Sequence, residues 1–197
     1  MPDRHTPRRA ALIVTLVVAG VAVLACSRGP AAGGDPVAQD APPTPRVAMT
    51  VPATVGGWKR AADQAKDTAT VSALSEGLRQ PFAVRYEQPA DPAQTVTVWG
   101  GTGTGFQVDD AQWQFDTFFA KLNKQLGSSH PTAPTSAGVI RIGGRAACAD
   151  TDRDGAALTA CAWTGPGVMV ALLFQGIKFD DAGQHLNVIL YELVTMT

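Results

Sequence analysis

Charge is scarce in this chain, and neither sign is gathered in one place: Asp, Glu, Lys and Arg together make up 17% of 197 residues, with a formal net charge of −1. An ordinary domain carries about a quarter. Nucleic acid demands a concentrated positive field, so DNA and RNA are excluded as partners. Histidine is equally sparse, three in all, and beyond the N-terminal segment only His130 and His185 are left. Zinc-dependent hydrolysis needs several convergent imidazoles or carboxylates and finds no support. There is no G-x-S-x-G elbow and no internal repeat. The string "WGGTGTG" at residues 99–105 resembles a phosphate-cradling loop between a strand and a helix, but it has no lysine and completes neither the Walker nor the dinucleotide pattern. It is expected to be a plain connection. Apolar residues, at 45%, are present in normal amount, so one domain with a real core is expected.

The first residues supply an address. Arg4, Arg8 and Arg9 precede an uncharged run of 16 residues at positions 10–25, which ends in small residues before Cys26. This is the pattern of an export signal over residues 1–26. The run is shorter than the roughly 20 residues that cross the hydrocarbon core as a helix. Val23-Leu24-Ala25-Cys26 resembles the lipobox of bacterial lipoproteins, which makes lipid attachment at Cys26 the leading expectation and an uncleaved anchor helix the alternative. Both leave the rest of the chain outside the cytoplasm and attached to the membrane. Residues 27–46 hold five prolines, three glycines and no aromatic side chain. Such a segment cannot bury enough to order itself and reads as a disordered tether.

Residues 47–197 then read as a single extracytoplasmic domain. Gly56-Gly57 before Trp58 marks a turn at its start. Val71, Leu74 and Leu78 fall at helical spacing over residues 67–78. "FAVRYEQ" and "TVTVWGG" flank the turn-rich "PADPAQ" and predict a strand pair. Phe115, Phe118, Phe119, Leu122 and Leu126 form one stripe of a helix that starts at Asp109 or Asp110 and stops at Gly127. "VIRIGGRAACAD", "ALTACAWTG" and "GVMVALLFQG" predict three more strands, and Leu186, Ile189, Leu190 and Leu193 a last helix capped by Asp180 or Asp181. The expected fold is α+β: an antiparallel sheet of about five or six strands with two or three helices largely on one face. A parallel βαβ arrangement is the alternative. Trp58, Trp99, Trp113 and Trp163 are expected mostly in the core, and Glu192 on a solvated face.

With Cys26 given to lipid, two cysteines remain in an oxidising compartment, so Cys148 and Cys161 are expected to pair across a hairpin. Twelve intervening residues do not suit redox catalysis, which favours a short spacing and a depressed thiol pKa. Between the two cysteines, Asp150, Asp152 and Asp154 with Gly155 match the first half of a calcium loop. The second half fails, because Cys161 stands where a bidentate Glu belongs. A polar hairpin tip without cofactor is the expectation, and calcium held by the three aspartates the alternative.

Gly143, Gly144, Cys148, Cys161, Ala162, Trp163 and Gly167 carry a resemblance. Gly-Gly, a cysteine, a variable turn, Cys-Ala-Trp and a further glycine resemble the C-terminal half of membrane-anchored or lipidated extracytoplasmic proteins of actinobacteria, a group of unknown function. Thr164 stands where an Asp often follows the Trp, and Gly56-Gly57-Trp58 extends the similarity loosely toward the start of the domain. The resemblance implies an anchored domain with one disulfide and no reaction. A non-enzymatic module contacting an envelope protein, glycan or small ligand is therefore expected. The alternatives are a sensor or accessory domain beside a neighbouring membrane protein, and a hydrolase without a recognisable motif that assembles Asp109, Asp110, His130 or His185 around a pocket.

Overall fold

The computed structural model describes residues 47–62, 77–138 and 140–196. The chain divides into two units, residues 1–41 and 42–197, and every described residue belongs to the second. The signal segment, Cys26, the tether and most of the helix expected over residues 67–78 lie outside the described residues.

The strands are β1 (Val47–Met49), β2 (Thr54–Val55), β3 (Trp58–Arg60), β4 (Arg79–Gln88), β5 (Asp91–Thr102), β6 (Thr135–Ser136), β7 (Arg145–Arg153), β8 (Ala156–Gly165), β9 (Val168–Gln175) and β10 (Val194–Met196). The helices are α1 (Ala111–Leu126) and α2 (Phe179–Leu193). Eight strands form one antiparallel sheet in the order β2-β3-β4-β5-β9-β8-β7-β6, while β1 and β10 form a separate antiparallel pair. The fold is thus α+β with more strands than the five or six expected. The additional strands are pieces of two or three residues, too short to leave a period in the sequence.

The helices do not share a face, which corrects the expectation. Val168, Val170, Leu172 and Phe174 of β9 pack with Leu186, Ile189, Leu190 and Leu193 of α2. Their neighbours Met169, Ala171 and Leu173 pack on the other side with Phe115, Phe118, Phe119 and Leu122 of α1. Because successive side chains of a strand point to opposite faces, this parity places α1 and α2 on opposite sides of the sheet. Much of the floor under α1 is small, Ala147, Ala149, Ala160, Ala162 and Ala171, set among the larger Trp99, Leu158, Met169 and Leu173. Alanines let the helix backbone come close while its phenylalanines fill the remaining space, each contributing about 1.5–3 kcal/mol of transfer free energy. A sheet covered on both faces shows a continuous apolar run rather than alternation, and β8 and β9 have that pattern.

Element ends differ in detail from expectation. Asp110 is the residue before α1 but makes no side-chain cap bond, and Gly127 closes the helix in the left-handed conformation at φ 64°. α2 starts earlier than expected: Lys178 is its N-cap residue, and Asp180 and Asp181 lie within its first turn, where carboxylates favour the positive end of the helix dipole. The connection between β4 and β5 shortens to Pro89 and Ala90. β7 begins only at Arg145, because Gly143 and Gly144 turn the chain at φ 76° and 77°.

Candidate functional site

A concavity sits where the β7–β8 hairpin meets the start of α2. It is an open cleft of about 750 Å³, lined by His130, by Asp150 and Asp152 of β7, by Thr159 of β8 and by Ile177, Lys178, Phe179 and Asp180 around the start of α2, among others.

The hairpin provides its base. β7 and β8 pair without interruption from Arg145↔Thr164 to Arg153↔Ala156, so the two-residue turn is Asp154-Gly155. Both adopt positive φ, 52° and 79°, which is the type I′ geometry that an Asp-Gly pair provides. Cys148 faces Cys161 directly in this register, and the two form a disulfide with Cα atoms 4.0 Å apart, buried in the core under α2. Trp163 packs beneath the Gly143-Gly144 turn and donates from Nε1 to the Gly143 carbonyl at 2.8 Å. The glycines, cysteines and tryptophan that carry the resemblance are thus one packing unit.

The three aspartates have separate roles. Asp154 belongs to the turn. Asp150 accepts from the Thr159 hydroxyl at 3.0 Å through Oδ1. Asp152, buried at 8% exposure, is the most heavily bonded: Oδ1 accepts from Ser128 Oγ at 2.7 Å, His130 N at 2.9 Å and Ser129 N at 3.0 Å, and Oδ2 accepts from Ser129 Oγ at 3.1 Å. The Ser128 hydroxyl first, then the His130 and Ser129 donors, hold its pKa well below the usual value of 3.8, down to about 2. Among the described residues, no three His, Cys, Asp or Glu side chains gather as a metal ion would require.

Asp152 pins the segment that leaves α1. Gly127 turns the chain, Ser128 Oγ accepts from Asp152 N at 3.2 Å, and Thr132 N donates to Asp150 O at 2.9 Å. Residues 128–137 therefore run along the outer side of β7 and occupy its exposed edge, which guards against pairing with another chain. This brings His130 to the cleft. Its Nδ1 lies 2.8 Å from Ser129 Oγ. Ser129 has one hydroxyl proton, and with that proton directed to the Asp152 anion at 3.1 Å, Nδ1 is the nitrogen that donates to Ser129. In the neutral ring Nε2 is then the acceptor. Serine, not imidazole, is in the middle, an order unlike that of a hydrolytic triad, where histidine lies between nucleophile and carboxylate.

The other residues proposed for catalysis are not brought together with His130. Asp109 and Asp110 precede α1, on the opposite face of the sheet from α2. His185 lies on α2, its ring meeting Trp58 at 5.6 Å and 86° and Phe174 at 6.1 Å. It borders a smaller pocket of about 250 Å³ with Gly56, Asp181 and Val188. Trp58, Trp99 and Trp163 are buried, whereas Trp113 is 69% exposed on α1. Glu192, exposed, accepts from Gly56 N at 3.1 Å. In the 99–105 loop, Gly103 N donates to Gly167 O and Gly167 N to Phe106 O, so these donors are spent within the protein. Gln114 accepts from Thr164 Oγ1 at 2.8 Å and donates to Gln107 O at 2.9 Å, holding the same loop against the sheet. Sequence reasoning missed Ser128, Ser129, Thr159, Lys178 and Phe179 as site residues. The available signal was "GSSH" immediately after a helix-terminating glycine.

No protein-family model and no curated protein sequence matches the chain. Among solved structures it is similar to LpqN of Mycobacterium tuberculosis, described as involved in cell envelope biogenesis, with 18% sequence identity and a TM-score of 0.37 over 81% of this chain and 87% of that one.

Proposed function

We propose that this chain is an extracytoplasmic, membrane-attached module that binds a ligand or envelope partner in the cleft above the disulfide-linked hairpin and carries out no reaction of its own. The observation that carries this reading is the cleft itself: its volume of about 750 Å³ falls within the usual range of ligand sites, and its base is a rigid hairpin. The export signal and tether support the location. A sensor or accessory domain would use the same cleft with a protein occupant. The test is photocrosslinking in intact cells, with a photoreactive residue at Lys178 and, as control, at Trp113 on the opposite face. Adducts from position 178 and none from 113 are expected, and a proteinaceous adduct would identify the accessory role. Equal yields at both positions would count against the cleft.

The Ser129–His130 contact of 2.8 Å favours one second reading, a hydrolase. Because Asp152 holds the Ser129 proton, the expected result is no labelling of Ser129 by a fluorophosphonate probe under conditions that label a control serine hydrolase. Labelling at Ser129 would install the second reading in place of the first.

A further inference from the structure

We infer that the ligand of this cleft is a saccharide, bound through hydroxyl groups to Asp150 and Asp180 and through a pyranose or furanose face to Phe179 and Ile177; this rests on the binding-module reading above. The polar groups of the cleft divide into those already used and those left over. Asp152 uses both carboxylate oxygens on Ser128, Ser129 and His130. Thr159 directs its single hydroxyl proton toward Asp150 Oδ1 and the Ile177 carbonyl, at 3.0 and 3.2 Å. Among the described residues that leaves Asp150 Oδ2, the exposed Asp180 carboxylate and the exposed Lys178 ammonium without side-chain partners, together with His130 Nε2, the accepting nitrogen of the neutral ring. Three acceptors and one donor remain, beside the half-buried apolar bodies of Ile177 and Phe179, which are packed on the core and fixed by it.

The chemistry of that remainder selects among ligand classes. A bare cation would need at least three convergent anionic or imidazole groups, and none of the described residues form such a group. A phosphate or carboxylate ligand would meet Asp150, Asp152 and Asp180 with only Lys178 to offset them. A lipid tail would bury carboxylates without partners, at high cost. A neutral ligand with many hydroxyl donors satisfies the free acceptors, takes one hydrogen bond from Lys178 and lays its C–H face against Phe179 and Ile177. The cleft is open rather than enclosed, which leaves room for a segment or end of a longer saccharide chain.

The test uses the full-length chain in detergent micelles, titrated calorimetrically with neutral pentose and hexose oligosaccharides, N-acetylhexosamine oligosaccharides, inorganic phosphate, calcium and a lysine-rich peptide. Saccharide binding is expected. Asp150→Asn and Asp180→Asn keep the side-chain shape, and the amide introduced by Asp150→Asn retains an oxygen for Thr159, so both variants should fold. Each is expected to weaken saccharide binding about tenfold or more, the loss of a hydrogen bond to a charged group. Far-ultraviolet circular dichroism and thermal melting of each variant serve as the folding control. Saccharide binding unchanged in both folded variants, or no response to any saccharide, overturns the inference. In the second case, a response to the peptide or phosphate would leave the binding module standing with a different ligand. Silence from every probe, together with equal crosslinking at positions 178 and 113, would remove the module reading as well.

Discussion

Asp152 shows how one side chain can organise a surface segment. Its carboxylate gathers Ser128, Ser129 and His130, and those bonds keep residues 128–137 against the edge of β7. A folded pKa of about 2 against an unfolded value near 3.8 means that its ionised form is favoured by folding. The stabilisation is complete above the unfolded pKa and is lost as pH falls through the window from about 4 to about 2. Asp152→Asn should therefore lower the urea midpoint at pH 7, and the gap from the native chain should narrow as the pH is taken down through that window. A gap independent of pH would deny the carboxylate this role. Glycines provide a second residue-scale contrast. A Cβ at Gly144 would lie 2.6 Å from Trp163 Nε1 and clash with the Thr164 carbonyl, whereas one at Gly155 would meet open space. Both have positive φ, so Gly155→Ala should cost about 1 kcal/mol and Gly144→Ala at least about 3 kcal/mol, read from denaturant midpoints. Equal costs would mean that the indole does not pack under that turn as described.

At the level of elements, the hairpin β7–β8 is the most constrained unit. Replacing Cys148 and Cys161 together by serine removes a cross-link of sequence separation 13 and is expected to cost about 3 kcal/mol, measured as a fall in the denaturation midpoint under non-reducing conditions. On the other face, Ala162→Leu would drive a branched chain into the buried cluster that α1 covers, with an expected loss of about 1–3 kcal/mol from overpacking. Both helices and the long strands were legible in the sequence, because Phe115, Phe118, Phe119 and Leu122 repeat with helical period and "TVTVWGG" alternates. The distribution of the helices over two faces was not. Ala147, Ala149, Ala160 and Ala162 are too small to mark a buried face by hydrophobicity, so the floor of α1 looked like spacing between larger residues. The cleft was half legible. Asp150, Asp152 and His130 could be singled out by type, but what joins them is the return of residues 128–137 along β7 and the approach of the start of α2, contacts 20 or more residues apart in sequence. No local pattern encodes such a meeting. The calcium-like spacing falls on a hairpin: Asp154-Gly155 forms its turn, and Asp150 and Asp152 lie two positions apart on β7.

On the scale of the whole molecule, the proposal is a folded domain held outside the cytoplasm by an N-terminal attachment, with its cleft available to the surrounding envelope. The described residues contain no helix long and apolar enough to cross a membrane; the proposal assigns attachment to Cys26. Within the domain, β1, the first described strand, pairs with β10, Val47 opposite Met196. The buried disulfide fits an oxidising compartment, where thiols of this kind pair and stay paired. The most direct measurement is the intact mass of the protein extracted from membranes, taken before and after reduction. The account predicts a chain that begins at Cys26, carries the added mass of attached acyl groups, and gains two hydrogens on reduction. A full-length, unmodified chain recovered from the soluble cell fraction, with both thiols already free, would contradict it.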